Sequence, residues 1–90
     1  MHILGIDIAK ATFDVALSAD NEHFIIEEFN NTPSGHRTLQ KWLRRHDVKQ
    51  LHACLEATGR YGDELARFLH QQGYDVSVVN PSRTHAYRKS

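Results

Sequence analysis

Two acidic residues interrupt the most apolar stretches of this sequence. Asp7 is flanked by isoleucines, and Glu56 by leucine and alanine. Burying an ionised carboxylate without a partner costs several kcal/mol, so a favourable interaction must compensate. Two neighbouring carboxylates repel unless a proton or cation lies between them, and oxygen ligands suit Mg²⁺ or Mn²⁺ better than zinc. The pair therefore predicts a metal site for phosphodiester chemistry; the alternative is separate pairing with Lys10, Arg60 or main-chain amides.

Other candidates for chemistry have weaker patterns. The seven histidines do not recur at the spacing of a compact zinc motif, and there is one cysteine. Cys54 is interpreted as a small core residue, while His52, which shares strand parity with Glu56, is a candidate for the same cleft or an ordinary half-buried histidine. The segment from Gly5 to Thr12 is similar to the phosphate-binding hairpin of sugar kinases and actin-like ATPases. That hairpin needs a glycine-rich turn, whereas residues 9–11 here are Ala-Lys-Ala.

Hydrophobic periodicity predicts the strands that carry the two acids. The apolar run over residues 3–9 predicts a central strand covered on both faces, and the run over residues 51–57 predicts a second one. Alternation over residues 12–18 and an apolar segment over residues 23–29, joined by an Asp-Asn turn, predict an antiparallel pair. Residues 76–79 form a last short strand.

Two amphipathic helices separate the later strands. Thr32 or Ser34 caps the first, in which apolar residues recur at helical spacing from Leu39 to His46. The second covers residues 61–72, and Gly73 ends it. The order βββαβαβ predicts an α/β fold with a mixed sheet whose faces are covered by helices. If the first and fourth strands are parallel neighbours, the two acids lie at the same level.

The composition excludes several classes of protein. With 90 residues, 40% of them hydrophobic and 24% charged, the chain is one globular unit, and its small core favours self-association. The net charge is zero, yet residues 1–30 carry one basic and six acidic residues while residues 31–90 carry ten basic and five acidic ones. A single cysteine excludes an intrachain disulfide, and the N-terminus lacks the pattern of a signal peptide. We therefore expect a soluble, cytoplasmic protein.

Five ordered blocks of sequence indicate a family. Residues 5–10, 13–15, 31–35, 55–62 and 78–81 read Gly-Ile-Asp-Ile-Ala-Lys, Phe-Asp-Val, Asn-Thr-Pro-Ser-Gly, Leu-Glu-Ala-Thr-Gly-Arg-Tyr-Gly and Val-Val-Asn-Pro. Together they resemble the N-terminus of the DEDD transposases of bacterial insertion sequences, relatives of Piv-type DNA invertases. The resemblance implies a RuvC-like, ribonuclease-H-like fold, which agrees with the element order.

The resemblance also implies roles for the two acids. Asp7 corresponds to the first acid of the family's Asp-Glu-Asp-Asp tetrad and Glu56 to the second, so both are expected to be catalytic and to bind Mg²⁺ or Mn²⁺. The last two aspartates and a C-terminal domain with a catalytic serine are absent from residues 1–90. We therefore expect an incomplete RuvC-like domain, truncated before the last catalytic helix. Two-metal chemistry needs more carboxylates than two, so the isolated chain should bind metal weakly and leave DNA uncut.

The expected activity of the parent protein is to break and join DNA strands during transposition of an insertion sequence. Its expected partners are DNA and further copies of itself. The resemblance implies a structured guide RNA as a further partner to test. Two alternatives stay open: a nuclease similar to Holliday-junction resolvases, and a non-catalytic module that binds protein or RNA. Eight basic residues are weak candidates for contacts with the nucleic-acid backbone, and solvated charge is the alternative interpretation. They are Lys10, Arg37, Lys41, Arg44, Arg45, Arg83, Arg88 and Lys89.

Overall fold

A five-stranded mixed sheet carries two helices in the computed structural model, which describes residues 1–56 and 60–79. The predicted order βββαβαβ is confirmed. The elements are β1 (His2–Ile8), β2 (Thr12–Ser18), β3 (Ile25–Asn30), α1 (Pro33–Arg45), β4 (Leu51–Glu56), α2 (Asp63–Gln71) and β5 (Asp75–Val79). The strand order is β3-β2-β1-β4-β5, antiparallel for the β1–β2 and β2–β3 pairs and parallel for the β1–β4 and β4–β5 pairs.

Helix α1 begins where the sequence predicted. The hydroxyl of Thr32, the N-cap, accepts a hydrogen bond from the Gly35 N–H at 3.1 Å, and Pro33 occupies the first turn, where its missing N–H is not needed. A side chain at Gly35 is sterically excluded, because a Cβ atom there would lie 1.8 Å from the main-chain oxygen of Asn30. Glycine thus lets the helix start directly against the end of β3.

The end of α2 also matches its prediction. Gly73 has a φ of +89°, a conformation that L side chains rarely adopt, and its N–H donates to the His70 carbonyl at 3.0 Å. The Tyr74 N–H then donates to the Leu69 carbonyl at 3.3 Å, which turns the chain into β5. The first turn of α2 carries Asp63 and Glu64, whose charges complement the helix dipole.

The hydrophobic core lies on one face of the sheet. The residues of β1 that point to it are Leu4, Ile6 and Ile8, and apolar side chains of β2 and β4 extend the same surface. Both helices pack on this face with their apolar stripes. The buried core residues that the helices contribute are Leu39, Trp42 and Leu43 from α1 and Leu65 and Leu69 from α2.

The prediction that β1 is covered on both faces, with helices on each face of the sheet, is wrong for the described residues. Ile3, on the other face of β1, is 37% exposed, and Ile26 of β3 is 65% exposed. The apolar stripes of the two helices need one apolar surface, and the core-side residues of the alternating strands already provide it. We call the uncovered side of the sheet the open face. Neither helix is long and apolar enough to cross a membrane within residues 1–56 and 60–79.

Candidate active site

Asp7 and Glu56 lie side by side at the end of the parallel β1–β4 pair. The register of this pair joins Ile6 to Leu55, so the next residue of each strand continues at the same level on the open face. Neighbouring strands are about 4.8 Å apart. The parallel pairing of the first and fourth strands, on which the shared level of the two acids depended, is therefore present, and it places Asp7 and Glu56 at the ends of adjacent strands.

Two further acids extend this pair into a row across the sheet. Asp14 of β2 is the register partner of Asp7, and Glu28 of β3 is the register partner of Asp14. Residues in register lie on the same face of a sheet, so four neighbouring strands each present one carboxylate to the open face. We call Asp7, Asp14, Glu28 and Glu56 the carboxylate row.

Sequence reasoning missed the contribution of Asp14 and Glu28, although a signal was available. The first strand ends near Ala9 and the second begins at Thr12, so a tight turn between them already places Asp7 opposite Asp14. In the structure the Ala9 N–H donates to the Thr12 carbonyl at 2.9 Å, which closes this turn.

The carboxylate row is exposed, which corrects the expectation that Asp7 and Glu56 are buried. The reason is the open face, which leaves solvent above both acids, so the cost of burial does not apply. The row is short of positive charge: in the part of the chain that the structure describes, the one ion pair within 4.0 Å joins His23 to Asp20. Pairing with Lys10 or Arg60, the alternative interpretation, is thus not seen among these residues. The neighbouring carboxylates therefore repel one another, and a bound cation would reduce this repulsion.

The carboxylate row borders an open groove of about 570 Å³, to which all five strands contribute. Asp7, Asp14 and Glu56 line it together with small or apolar residues that include Gly5, Ala16, Ile26 and Val79. Cys54 is half-buried and also lines the groove, so its interpretation as a core residue is wrong; it has the strand parity of Glu56 and thus faces the open side. The groove combines hard oxygen ligands with a wall that has little polarity of its own.

His52 lies on the open face but outside this groove. Its Nε2 is 2.7 Å from the Ser77 Oγ on the neighbouring strand β5, and the residues that line the groove include Cys54 and Glu56 but not His52. The hypothesis that His52 shares the cleft of Glu56 is therefore not supported. His52 is instead an ordinary half-buried histidine, which was the alternative interpretation.

A second acidic cluster lies at the opposite end of the sheet. Asp20, Glu22 and His23 in the β2–β3 connection have ligand atoms within 4.8 Å of one another, and all three are exposed. The main-chain N–H of His23 and then its ring are the largest causes that hold the pKa of Asp20 well below its usual range. The Asp20 side chain also accepts from the Glu22 N–H at 2.9 Å. These contacts close a turn, and hydrogen bonds within the turn account for the cluster.

The basic candidates are not gathered around the carboxylate row. Lys10 is exposed in the β1–β2 turn, close in sequence to Asp7. The basic residues of α1 occupy the side of the helix opposite its buried stripe, and α1 packs on the core side of the sheet, so this basic stripe faces away from the open face. We use this name for Arg37, Lys41, Arg44 and Arg45. The remaining candidates, Arg83, Arg88 and Lys89, lie outside the described residues.

Comparison with known families gives a match over nearly the whole chain. The model of the DEDD transposase family of the IS110 type, described as "Transposase", matches residues 4–90. The chain is also 40% identical over 89 residues to the pilin gene-inverting protein of Moraxella bovis, covering 97% of this chain and 27% of that protein. The chain thus spans about a quarter of the length of this curated relative.

Solved structures share the fold at low sequence identity. RuvC from Thermus thermophilus matches with a TM-score of 0.58 and 15% identity, over 90% of this chain and 62% of that one. The fowlpox virus resolvase, solved in complex with Holliday junction DNA, matches with a TM-score of 0.59 and 22% identity, over 90% of this chain and 61% of that one. The expected RuvC-like, ribonuclease-H-like fold is therefore confirmed.

Proposed function

The chain belongs to the DEDD transposase family, and we propose that it is the N-terminal part of a RuvC-like catalytic domain in a recombinase that breaks and joins DNA strands during transposition. The observation that carries the proposal is the pair of neighbouring carboxylates, Asp7 and Glu56, on an accessible groove. Similarity to a pilin gene-inverting protein supports a recombination reaction. Because the chain spans 27% of that relative, the activity is proposed for the longer protein.

The residues that border the groove fit a divalent cation. Asp7 and Glu56 offer hard carboxylate oxygens from adjacent strands, and the described residues within 4.0 Å provide no basic partner for either. These two residues would hold Mg²⁺ or Mn²⁺, and the bound ion supplies Lewis-acid stabilisation of the phosphodiester oxygens. Asp14 adds negative charge beside Asp7, which increases the attraction of the row for cations.

The described residues are not a complete two-metal centre in this proposal. Holding two ions about 4 Å apart requires more ligands than Asp7 and Glu56 supply. The isolated chain therefore binds metal weakly and does not cut DNA. Mg²⁺-dependent nicking by the 90-residue chain, abolished by Asp7→Ala, would contradict this part of the proposal.

Nucleic acid is proposed to meet this chain on two sides. A DNA strand in the groove would pass Lys10, which is exposed next to the end of β1. The basic stripe of α1 faces the other side, so it would contact a different nucleic-acid segment, with a structured guide RNA as the candidate. For Arg83, Arg88 and Lys89, contacts with the nucleic-acid backbone remain part of the proposal. Self-association and a cytoplasmic location complete the proposal.

The resolvase-like alternative differs in substrate. The fowlpox enzyme shares the fold at 22% identity, which supports the fold alone. The longer protein that contains this chain should process the ends of an insertion sequence in preference to a branched Holliday junction. Preference for the junction would favour the resolvase. A parent protein whose activity is unchanged by Asp7→Asn would favour the non-catalytic module.

The direct test of the site is Mn²⁺ binding to the 90-residue chain, measured by electron paramagnetic resonance. Asp7→Asn and Glu56→Gln should each weaken Mn²⁺ binding by about tenfold or more, because each removes one of two neighbouring charged ligands. Glu27→Gln is the matched control, since it removes an exposed strand acid whose register partner is Val15, outside the carboxylate row. Equal affinity for wild type, Asp7→Asn and Glu56→Gln would exclude the proposed metal site.

A further inference from the structure

We propose that Asn31 is a positioning residue for this site: its side chain ties the β1–β2 turn, which follows Asp7, to Tyr61 ahead of α2, and so fixes the relative placement of the two carboxylates. The inference rests on the proposed function, because positioning matters only if the two acids act together. Asn31 follows β3 and precedes the α1 N-cap, and it belongs to neither acid-bearing strand.

The Asn31 amide group makes the connection directly. Its Nδ2 donates to the main-chain oxygen of Tyr61 at 2.9 Å and to that of Ala9 at 3.2 Å. Ala9 follows Asp7 by two residues, and Tyr61 follows Glu56 by five. One NH₂ group thus joins the turn that follows β1 to Tyr61, two residues before α2.

The Asn31 bridge lies just beyond the point where the hydrogen-bonded pairing of β1 and β4 ends. The last registered pair between β1 and β4 is Ile6 with Leu55, and Asp7 and Glu56 lie one residue beyond it. On their outer sides the acids are still paired, Asp7 with Asp14 and Glu56 with Val79. Beyond Ile6 and Leu55, the segments that follow meet through the Asn31 bridge and through Ile8, whose Cδ1 atom would lie 2.9 Å from a Cβ atom at Gly62.

The orientation of the Asn31 amide determines which nitrogen of His36 carries a proton. The Nδ2 atom donates to two carbonyls, so the Oδ1 atom must accept, and it lies 3.0 Å from the His36 Nε2. His36 Nε2 therefore carries a proton. The imidazole is 3% exposed and lies between the rings of Phe13 and Phe68, with ring centroids 5.9 and 5.7 Å away. A packed ring on a helix thus donates to the Oδ1 end of the bridging amide and holds it in place.

The main chain of Asn31 is held as firmly as its side chain. Its N–H donates to the Ala11 carbonyl at 2.8 Å, in the turn that follows β1. Asn31 therefore binds the β1–β2 turn twice, with its main-chain N–H at Ala11 and with its side chain at Ala9. An asparagine is required for this combination, because its side chain carries two N–H donors and an acceptor at the reach of one methylene group.

Asn31→Asp is the informative variant, with Asn31→Ala beside it. Aspartate has the same shape and still accepts from His36, but it cannot donate to Ala9 or Tyr61. In the 90-residue chain Asn31→Ala should weaken Mn²⁺ binding by about tenfold, the effect typical of residues that orient metal ligands. Asn31→Asp also adds a negative charge, so its effect is followed by hydrogen exchange instead. Thr32→Ala is the matched control, since it removes the α1 N-cap bond next to Asn31 without touching either loop, and it should bind Mn²⁺ as wild type does.

A second readout does not depend on metal. Amide hydrogen exchange should become faster at the ends of both β1 and β4 in Asn31→Asp, whereas Thr32→Ala should accelerate exchange in the first turn of α1. An Asn31→Ala variant that binds Mn²⁺ like wild type, while Asp7→Asn does not, would overturn the inference and leave the proposed function intact. If Asp7→Asn and Glu56→Gln also bind Mn²⁺ like wild type, the proposed function fails. The bridge is tested separately: unchanged amide hydrogen exchange at the ends of β1 and β4 in Asn31→Asp would refute it.

Discussion

Asp7 lies directly opposite Asp14 across the antiparallel β1–β2 pair, and both carboxylates face the uncovered side of the sheet. Like charges in register are unfavourable, so this pair is a source of instability that the described residues do not neutralise with a basic partner within 4.0 Å. A protein gains nothing for its fold from this arrangement. A cation that binds to the carboxylate row would remove the repulsion, which connects the arrangement to metal binding.

Replacing Asp14 with asparagine should therefore stabilise the metal-free protein. Asp14→Asn keeps the size of the side chain and removes one charge, and we expect an increase of about 0.5 kcal/mol in the free energy of unfolding at low ionic strength. Urea denaturation with a chelator present measures this change. The gain should shrink at about 1 M salt, which screens exposed charges. Glu27→Gln is the control; a comparable gain from it would point to net charge as the cause.

Two glycines should respond in opposite ways to alanine. Gly35→Ala places a Cβ atom 1.8 Å from the Asn30 main-chain oxygen, so α1 must shift and we expect a loss of about 3 kcal/mol in stability. At Gly5 no atom lies within 4 Å of the position that a methyl group would take, and Gly5→Ala should gain about 0.5 kcal/mol by restricting the unfolded chain. Chemical denaturation of both variants checks the pair. A tolerated Gly35→Ala would mean that α1 does not start against β3 as described.

Stability should depend on pH through His36. Burial is the main cause that lowers the pKa of His36 below 6.5, with Arg37 acting in the same direction and Glu64 against it. The unfolded chain therefore takes up the proton first, so the contribution of neutral His36 to stability is complete above pH 6.5 and declines as the pH falls below that value. Asp20, whose pKa is lowered from 3.8, loses its contribution only in more acidic solution.

Thermal unfolding between about pH 5 and pH 8 tests this dependence. His36→Gln retains an N–H donor for Asn31 and removes the titration, so its melting temperature should change less across the acidic part of this range than that of wild type. Thr38→Ala, at an exposed and non-titrating position of α1, should keep the wild-type slope. Identical slopes for wild type and His36→Gln would show that another group causes the dependence.

The basic stripe of α1 should be visible in the salt dependence of nucleic-acid binding. With a structured RNA as the probe, each phosphate contact that is lost should reduce the slope of log affinity against log salt by about 0.7 to 0.9, the range from single strands to duplex DNA. Lys41→Ala and Arg44→Ala, alone and combined, should lower both the affinity and this slope. Lys49→Ala removes an exposed charge outside α1 and serves as the control. A slope that is unchanged in the double variant would identify the stripe as solvated charge.

Local sequence patterns determined the elements and the parity of their residues. The alternation over residues 12–18 defined β2 with the bounds that the structure has, and the Thr-Pro sequence before α1 defined its first turn. These features depend on neighbours within one or two turns of chain, which the sequence displays directly. The same reasoning predicted that Asp7 and Glu56 would lie at one level of the sheet if their strands were parallel neighbours, a condition that the register of β1 and β4 meets.

The tertiary structure decided what covers each face and which distant residues meet. Periodicity shows that a strand has an apolar side, but it does not show which element packs there or whether the other side is covered, so the exposure of Asp7 was not predicted. The opposite placement of the basic stripe and the carboxylate row depends on how α1 packs on the sheet, and the bridge from Asn31 to Tyr61 joins residues 30 positions apart in the chain. Such contacts are fixed by the assembly of the whole sheet and its helices, and no local pattern of residues encodes them.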